Sequence, residues 1–249
     1  MGNLASAERD RPVRVCLIGD SQLAAIRQGW SLIRDEFPGI APTFFAGACS
    51  EWPTLEVCGD CLAAGSDKLS EQFARSSRGA RTIGSSFDFY IICGLELEIA
   101  PLLKLWLREE HSRPEVFRAA ASRELRETLS AKTLAMVREI TSSRIVLLPS
   151  PFQGEAFCRA SPRLDTETAR GIAEIFGSEC ERLAGEFGAT FLAQPAQTIA
   201  GNGVTTWMNF VRRSSDPALE DRRHGNAEYG AIALRQALEA VVSLPLLRR

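Results

Sequence analysis

Residues 13–21 read VRVCLIGDS: an apolar run rich in β-branched side chains, Val13 to Ile18, closed by Gly19 and followed by Asp20-Ser21. A run of this kind, with no polar alternation, suits a strand buried on both faces of a sheet. Immediately downstream Leu23, Ile26, Trp30, Ile33 and Phe37 recur at three- and four-residue spacing until Pro38-Gly39 stops the pattern, which predicts a helix. The chain opens on a βα unit.

The alternation continues outward from this unit. Strands are predicted at Thr43 to Ala46, near Leu55 to Val57, and at Phe87 to Cys93, Arg144 to Leu148 and Thr190 to Ala193. Helices are predicted from Ile99 to Leu107, Pro114 to Ile140, Asp165 to Phe187 and Ala227 to Val242. Strands alternating with helices through connections too long for hairpins call for an α/β fold with a parallel sheet covered by helices on both faces. No linker, repeat or low-complexity tract interrupts the chain, so one domain over residues 1–249 is expected, with residues 1–12 outside its ordered part. Residues 99–140 carry more helix than one crossover needs; a cap over a site and a subunit contact both fit.

At 249 residues and 45% apolar composition, the chain is long enough to bury a core without disulfides or metals. Its 29 basic and 31 acidic side chains give a formal charge of −2, which offers no global attraction to nucleic acid or anionic lipid. No run of eighteen apolar residues is present, so no membrane span is expected. The polar start MGNLASAERDRP lacks the apolar core of a secretory signal, and a cytoplasmic address is expected on that ground.

The seven cysteines follow no disulfide framework, and reduced structural thiols are expected. Cys58-Gly-Asp-Cys61 is the one C-x-x-C; a redox role would require an unusually acidic thiol there. With two histidines in the chain, a tetrahedral zinc site would need remote single ligands, and no metal is expected. Gly201-Asn-Gly203 reads as a turn, and no phosphate-binding loop of the GxxxxGK[ST] type occurs. Trp52, Trp106 and Trp207 suit core packing or the floor of a cleft.

Ligands of open parallel sheets settle beyond the carboxyl ends of the strands, so Ser21, just past the first strand, is the first candidate for chemistry. A serine there either caps the next helix or acts as a nucleophile beside the free N–H groups of a helix start. A nucleophilic serine needs a base, and the base needs an orienting acceptor. His111 sits in the charged run REEHSR, a solvated helix end. His224 lies in DRRHGN just before the last amphipathic helix, with Asp221 three residues earlier, placed to reach back to Nδ1.

The combination of VCLIGDSQ at the front and DRRHGNAEYG at the back, on an α/β chain, resembles the SGNH/GDSL hydrolase superfamily. The resemblance implies a three-layer αβα sandwich with a flavodoxin-like parallel sheet of about five strands. It implies a serine hydrolase, an esterase acting on a small-molecule or glycan ester such as an O-acetylated carbohydrate, with no cofactor. Acyl transfer and a catalytically weakened binding protein are the alternatives. Carried over residue by residue, Ser21 is the nucleophile and an oxyanion donor, His224 the base, Asp221 its orienting acid, and Gly47 the second oxyanion donor. Asp20 would shape the turn. The family's Gly-x-Asn motif falls at Gly94-Leu95-Glu96, where a carboxylate replaces the donor. Glu96 would repel a developing oxyanion unless turned away, and a lost donor costs roughly 2.7–4 kcal/mol. Asn202 or Asn209 is then a candidate substitute. Acyl group, alcohol and oligomeric state are not legible in the sequence.

Overall fold

The computed structural model describes residues 11–108, 113–213, 221 and 223–242. Among them, eight strands run in chain order: β1 (Val13–Gly19), β2 (Ile40–Ala46), β3 (Leu55–Cys58), β4 (Cys61–Ala64), β5 (Thr82–Gly84), β6 (Phe89–Cys93), β7 (Arg144–Leu148) and β8 (Thr190–Phe191). The helices are α1 (Leu23–Ile33), α2 (Asp67–Ser77), α3 (Ala100–Arg108), α4 (Pro114–Glu127), α5 (Leu129–Ile140), α6 (Thr166–Glu186) and α7 (Ala227–Val242). Residues 1–10 of the expected unstructured leader lie outside the described residues, whereas Arg11 is paired with Asp88 at 2.8 Å.

Five strands form one sheet in the order β2-β1-β6-β7-β8, every neighbouring pair parallel. Counted as core strands this is 2-1-3-4-5, the doubly wound order whose direction of growth reverses between β1 and β6. Alternate residues of each strand enter opposite layers. Val15, Leu17, Phe89, Ile91, Val146 and Leu148 pack under α1 and α7. Their neighbours Cys16, Ile18, Tyr90, Ile92, Ile145 and Leu147 join the larger apolar cluster that α2 to α6 cover. Both faces are apolar because both are covered, and the result is the three-layer α/β sandwich.

One helix contact fixes the ends of the chain against each other. A Cβ built on Gly29 of α1 would lie 2.3 Å from the backbone carbon of Gly230 in α7, and one built on Gly230 would lie 1.9 Å from the carbonyl oxygen of Ala25. The two backbones touch where neither carries a side chain. α1 follows Ser21 and α7 follows His224 almost directly, so this crossing brings together the helices that carry on from those two residues.

The structure departs from the sequence reading in three places. Strands β3, β4 and β5 form a separate antiparallel sheet, so the chain does contain a hairpin, and Leu55–Cys58 lies outside the parallel sheet. Its turn is the C-x-x-C: Cys58 and Cys61 face each other across Gly59-Asp60. Gly59 has φ +63° and Asp60 has no positive φ, the pattern of a type II′ turn with glycine first. Helix α2 escapes the apolar period because Leu69 and Phe73 are its sole buried residues; Ser66 caps it by accepting from Leu69 N.

The third departure is a break at Thr128 in the helix expected from Pro114 to Ile140. Every first-turn amide of α5 finds an acceptor there. Leu129 N donates to Glu96 Oε2 at 3.3 Å, Ser130 N to Leu95 O at 2.8 Å, Ala131 N to Thr128 Oγ1 at 3.2 Å and Lys132 N to Thr128 O at 3.2 Å. Two of these acceptors come from the segment after β6, where Gly94, Leu95 and Glu96 all have positive φ, +74°, +53° and +66°. Left-handed backbone costs roughly 1–2 kcal/mol at a residue with a side chain; capping α5 is what the two non-glycine residues gain by it.

Candidate active site

Ser21 follows β1 at the reversal point of the sheet and is exposed. Asp20 holds the turn: its carboxylate accepts from Gln22 N at 2.9 Å, from Leu95 N at 2.9 Å and from the Cys49 thiol at 3.3 Å. One buried side chain thereby ties together the loops after β1, β2 and β6. Burial, and then the neighbouring Asp20 carboxylate, push the Cys49 thiol up to about 12, so it stays protonated beside that carboxylate. Leu23 N, in the first turn of α1, donates to Asp20 O. Ser21 N has no acceptor among the described residues.

The second half arrives from the other end of the chain. Arg212 N donates to His224 O at 2.8 Å, Val211 and Gly225 form an antiparallel bridge, and Asn226 caps α7 by accepting from Tyr229 N at 2.9 Å. Gln22 Nε2 donates to Arg223 O at 3.1 Å, so the residue next to Ser21 grips the residue before His224. The outcome is a chain of short contacts: Ser21 Oγ lies 2.6 Å from His224 Nε2, and His224 Nδ1 lies 2.6 Å from Asp221 Oδ1. Asp221 also accepts from the backbone N–H groups of Arg223 and His224 at 3.3 and 3.2 Å.

Electrostatics fix the direction of these bonds. Burial of Asp221 opposes its ionisation, but the bond to His224, the imidazolium charge and the two backbone donors together hold the carboxyl below its ordinary value. An ionised carboxylate can only accept, so Nδ1 donates to Asp221, and in the neutral imidazole Nε2 is then the nitrogen that accepts from the Ser21 hydroxyl.

The chain resembles known proteins in its fold. It shares its fold with the periplasmic domain of a Salmonella ser. Paratyphi A lipopolysaccharide acetyltransferase, at a TM-score of 0.50 and 12% identity over 97% of this chain and 90% of that one. An extracellular lipase from Streptomyces rimosus matches at a TM-score of 0.49 and 14% identity over 92% of this chain and 99% of that one. No protein-family model matches the sequence, and no curated protein matches it. The similarity is one of fold. It overturns the expected cytoplasmic address, since the structure sharing the fold over nearly the whole chain is a periplasmic domain; an N-terminus without an apolar core was too little to carry that assignment. No described helix is long and apolar enough to cross a membrane.

The remaining sequence candidates separate. Gly47 lines the Ser21 cavity, but its N–H donates to Gly19 O at 3.1 Å, extending the β1–β2 ladder, and its carbonyl accepts from Trp52 Nε1 at 3.0 Å. Glu96 accepts from Leu129 N at the start of α5 and lines a different cavity, of about 350 Å³, shared with Glu98, Glu124, Glu127 and Arg223. Gly94 lies against Asp20, where a Cβ would come within 2.8 Å of Oδ1. Asn202 Oδ1 accepts from Val204 N and Thr205 Oγ1 within a turn, and Asn209 sits in a turn whose carbonyl accepts from Asn226; neither lines the Ser21 cavity. Trp52 is buried against Phe73, Trp106 packs on Phe117, and Trp207 is exposed. His111 lies outside the described residues.

Two features carried no sequence signal. Gln22 and Asp20 hold the loops together through contacts across 201 and 75 residues. The cavity lined by Ser21 and Gly47, about 350 Å³, also takes in Arg27, Gln72, Arg75 and Ser76. A larger cavity of about 520 Å³ beside Arg223 includes neither Ser21 nor His224 among its lining residues.

Proposed function

We propose that the chain is a serine-dependent, ester-acting enzyme of SGNH type, in which Ser21, His224 and Asp221 form a catalytic triad. The observation that carries this reading is the pair of 2.6 Å contacts joining Ser21 Oγ to His224 Nε2 and His224 Nδ1 to Asp221 Oδ1. In the reaction, Ser21 Oγ attacks the ester carbonyl while His224 Nε2 takes its proton, and the carbonyl π electrons move onto the oxygen. Collapse of this tetrahedral species breaks the ester bond, with His224 returning the proton to the departing alcohol. A water or a second alcohol then attacks the acyl-enzyme with the same proton traffic, giving hydrolysis or acyl transfer. Asp221 stays ionised throughout and stabilises the imidazolium.

The oxyanion is received by the Ser21 N–H, whose position at a helix start suits it to that task. Gly47 contributes a wall without a side chain; its own amide serves as a donor only if it leaves Gly19. The weakened-binder alternative rests on repulsion from Glu96; in this reading the carboxylate is instead engaged by Leu129 N at the start of α5. The whole chain acts as one unit in this reading, with α3 beside the site. The structural neighbour that is an acetyltransferase domain makes O-acetylated glycan hydroxyls the first esters to try.

The test is intact-mass detection of a fluorophosphonate adduct, with Ser21→Ala alongside. A single adduct on the native chain that disappears in the variant supports the reading. A folded native chain that takes up no label overturns it.

A further inference from the structure

The cavity lined by Ser21 has a charge that the chain as a whole does not. The protein carries a formal charge of −2, yet this cavity presents two guanidinium groups, Arg27 from α1 and Arg75 from the last turn of α2. Its one lining carboxylate, Asp20, is 5% exposed and already accepts from Gln22 N, Leu95 N and Cys49. It forms no ion pair with either arginine.

Neither arginine has a carboxylate partner among the described residues. Elsewhere on the surface, Arg11, Arg126, Arg182 and Arg235 each meet an aspartate or glutamate within 2.8 Å. Arg27 and Arg75, like several other described arginines, have no such partner, and they lie on the two helices that flank the cavity. Gln72 and Ser76, between them on α2, are committed to the backbone: Gln72 Oε1 accepts from Ala48 N, and Ser76 Oγ from Ala46 N. The neutral side chains thus hold the wall in place, and the charged ones are left for a ligand.

The cationic surface continues away from the serine. A second cavity, about 480 Å³, shares Arg27 and Ser76 with the first and adds Arg78 beside Trp30 and Phe44. Together the two cavities are lined by Arg27, Arg75, Arg78 and Trp30. A small acyl group needs no such length, whereas the alcohol portion of an ester must enter and leave along an open path.

We infer that Arg27 and Arg75 form an anion subsite, and that the ester acted on at Ser21 carries an oxyanion, carboxylate or phosphate, on its alcohol portion. This rests on the serine reading above. Guanidinium groups bind such oxyanions through paired N–H donors, which fixes orientation as well as adding affinity. An oxyanion held between α1 and α2 places the ester at a set distance from the hydroxyl, so charge and position are read together.

The experiment compares matched acetyl esters that differ in charge: acetylated glucuronate against its uncharged methyl ester, and acetylated glycerol phosphate against acetylated glycerol. kcat/KM is measured for the native chain, Arg27→Gln, Arg75→Gln and the double variant, with fluorophosphonate labelling of the native chain run in parallel. The expected result is a preference for the charged member of at least one pair by about tenfold or more, carried by KM. That preference falls about tenfold in each single variant, the size of one lost charge-assisted contact, and shrinks as ionic strength rises. Whichever pair shows it names the carboxylate or the phosphate as the group recognised. Equal kcat/KM within both pairs, with Ser21 labelled, overturns the subsite and leaves the serine reading standing. A preference that persists in the double variant also overturns the assignment to these arginines. Failure to label Ser21 in the native chain brings down the serine reading and the subsite with it.

Discussion

Gly29 and Gly230 meet backbone to backbone, and this contact couples the helix after Ser21 to the helix after His224. The nearest obstacles to a Cβ at either position are main-chain atoms, Ala231 N at 2.2 Å from position 29 and Ala25 O at 1.9 Å from position 230. Main chain cannot swing aside as a flexible side chain can. The two helices thus meet at a place where side chains are absent.

Gly230→Ala is expected to push α7 off α1. Overpacking of this kind costs roughly 1–3 kcal/mol, and a shift of about 1 Å between reacting groups lowers turnover by roughly 100-fold. Thermal unfolding and kcat/KM measured on the same preparation check both effects. A variant with native turnover would show that the crossing does not set the geometry of the site.

Replacing His224 with Ala should abolish acyl transfer while the fold survives, because the imidazole is partly exposed and packs little. Asp221→Asn should leave the loop in place and lower turnover by about 10⁴-fold, since the amide favours the wrong imidazole tautomer. Labelling rate and circular dichroism together read the outcome. Comparable rates in either variant would remove that residue from the mechanism.

Asp221 also sets a pH dependence. Its carboxyl titrates below the ordinary aspartate value, through the balance of burial against His224 and two backbone donors. A depressed folded pKa contributes stability that is fully present above the unfolded value, about 3.9, and is lost as pH falls through the folded value. Unfolding free energy measured from pH 6 down to pH 2 should therefore decline less steeply in Asp221→Asn than in the native chain. Parallel curves would mean that the carboxylate gains nothing from its partners.

Glu96→Asn removes a carboxylate from the first amide of α5 and leaves the oxyanion region as it was. The expected effect is a loss of about 0.3–1 kcal/mol, the value of a negative charge at a helix start, with turnover within a few-fold of native. A large rise in turnover would place the side chain at the reacting centre after all, contrary to its bond with Leu129 N.

The paired cysteines of the hairpin are expected to have no redox role. Burial, followed by the adjoining Cys58 and Asp60, pushes the Cys61 thiol upward, and a scarcer thiolate is a poorer nucleophile. Serine at both positions should leave acyl transfer unchanged, whereas Gly59→Ala should lower stability by roughly 1–2 kcal/mol because φ there is +63°. Loss of activity in the double serine variant would contradict this.

What the sequence disclosed is what neighbouring residues encode. Arg144–Leu148 and Ala227–Val242 are legible because a run of apolar residues or a helical period is complete within the segment itself. Ser21 and the Asp221–His224 pair are legible because each sits at an end of such a segment. The hairpin at Cys58–Cys61 was hidden by its short flanks, although the Gly-Asp pair at its turn was there to be read. The break at Thr128 was hidden because the apolar period runs through it: Thr128 is a local cap, accepting from Ala131 N and Lys132 N, but the acceptors for Leu129 N and Ser130 N come from residues 96 and 95, more than thirty positions away. Arg27 and Arg75 belong to the same class, two charges on separate helices that only the folded chain sets around one cavity.

The crossing of α1 and α7 also has a consequence for biosynthesis. Ser21 and the imidazole that faces it are 203 residues apart, and α7, which seats that imidazole, follows every other described strand and helix in chain order. At typical elongation rates the interval between the two is about 10–40 s. Throughout that time a nascent chain holds Ser21 without the imidazole that faces it, so the pair comes together only after all five strands of the parallel sheet have been made.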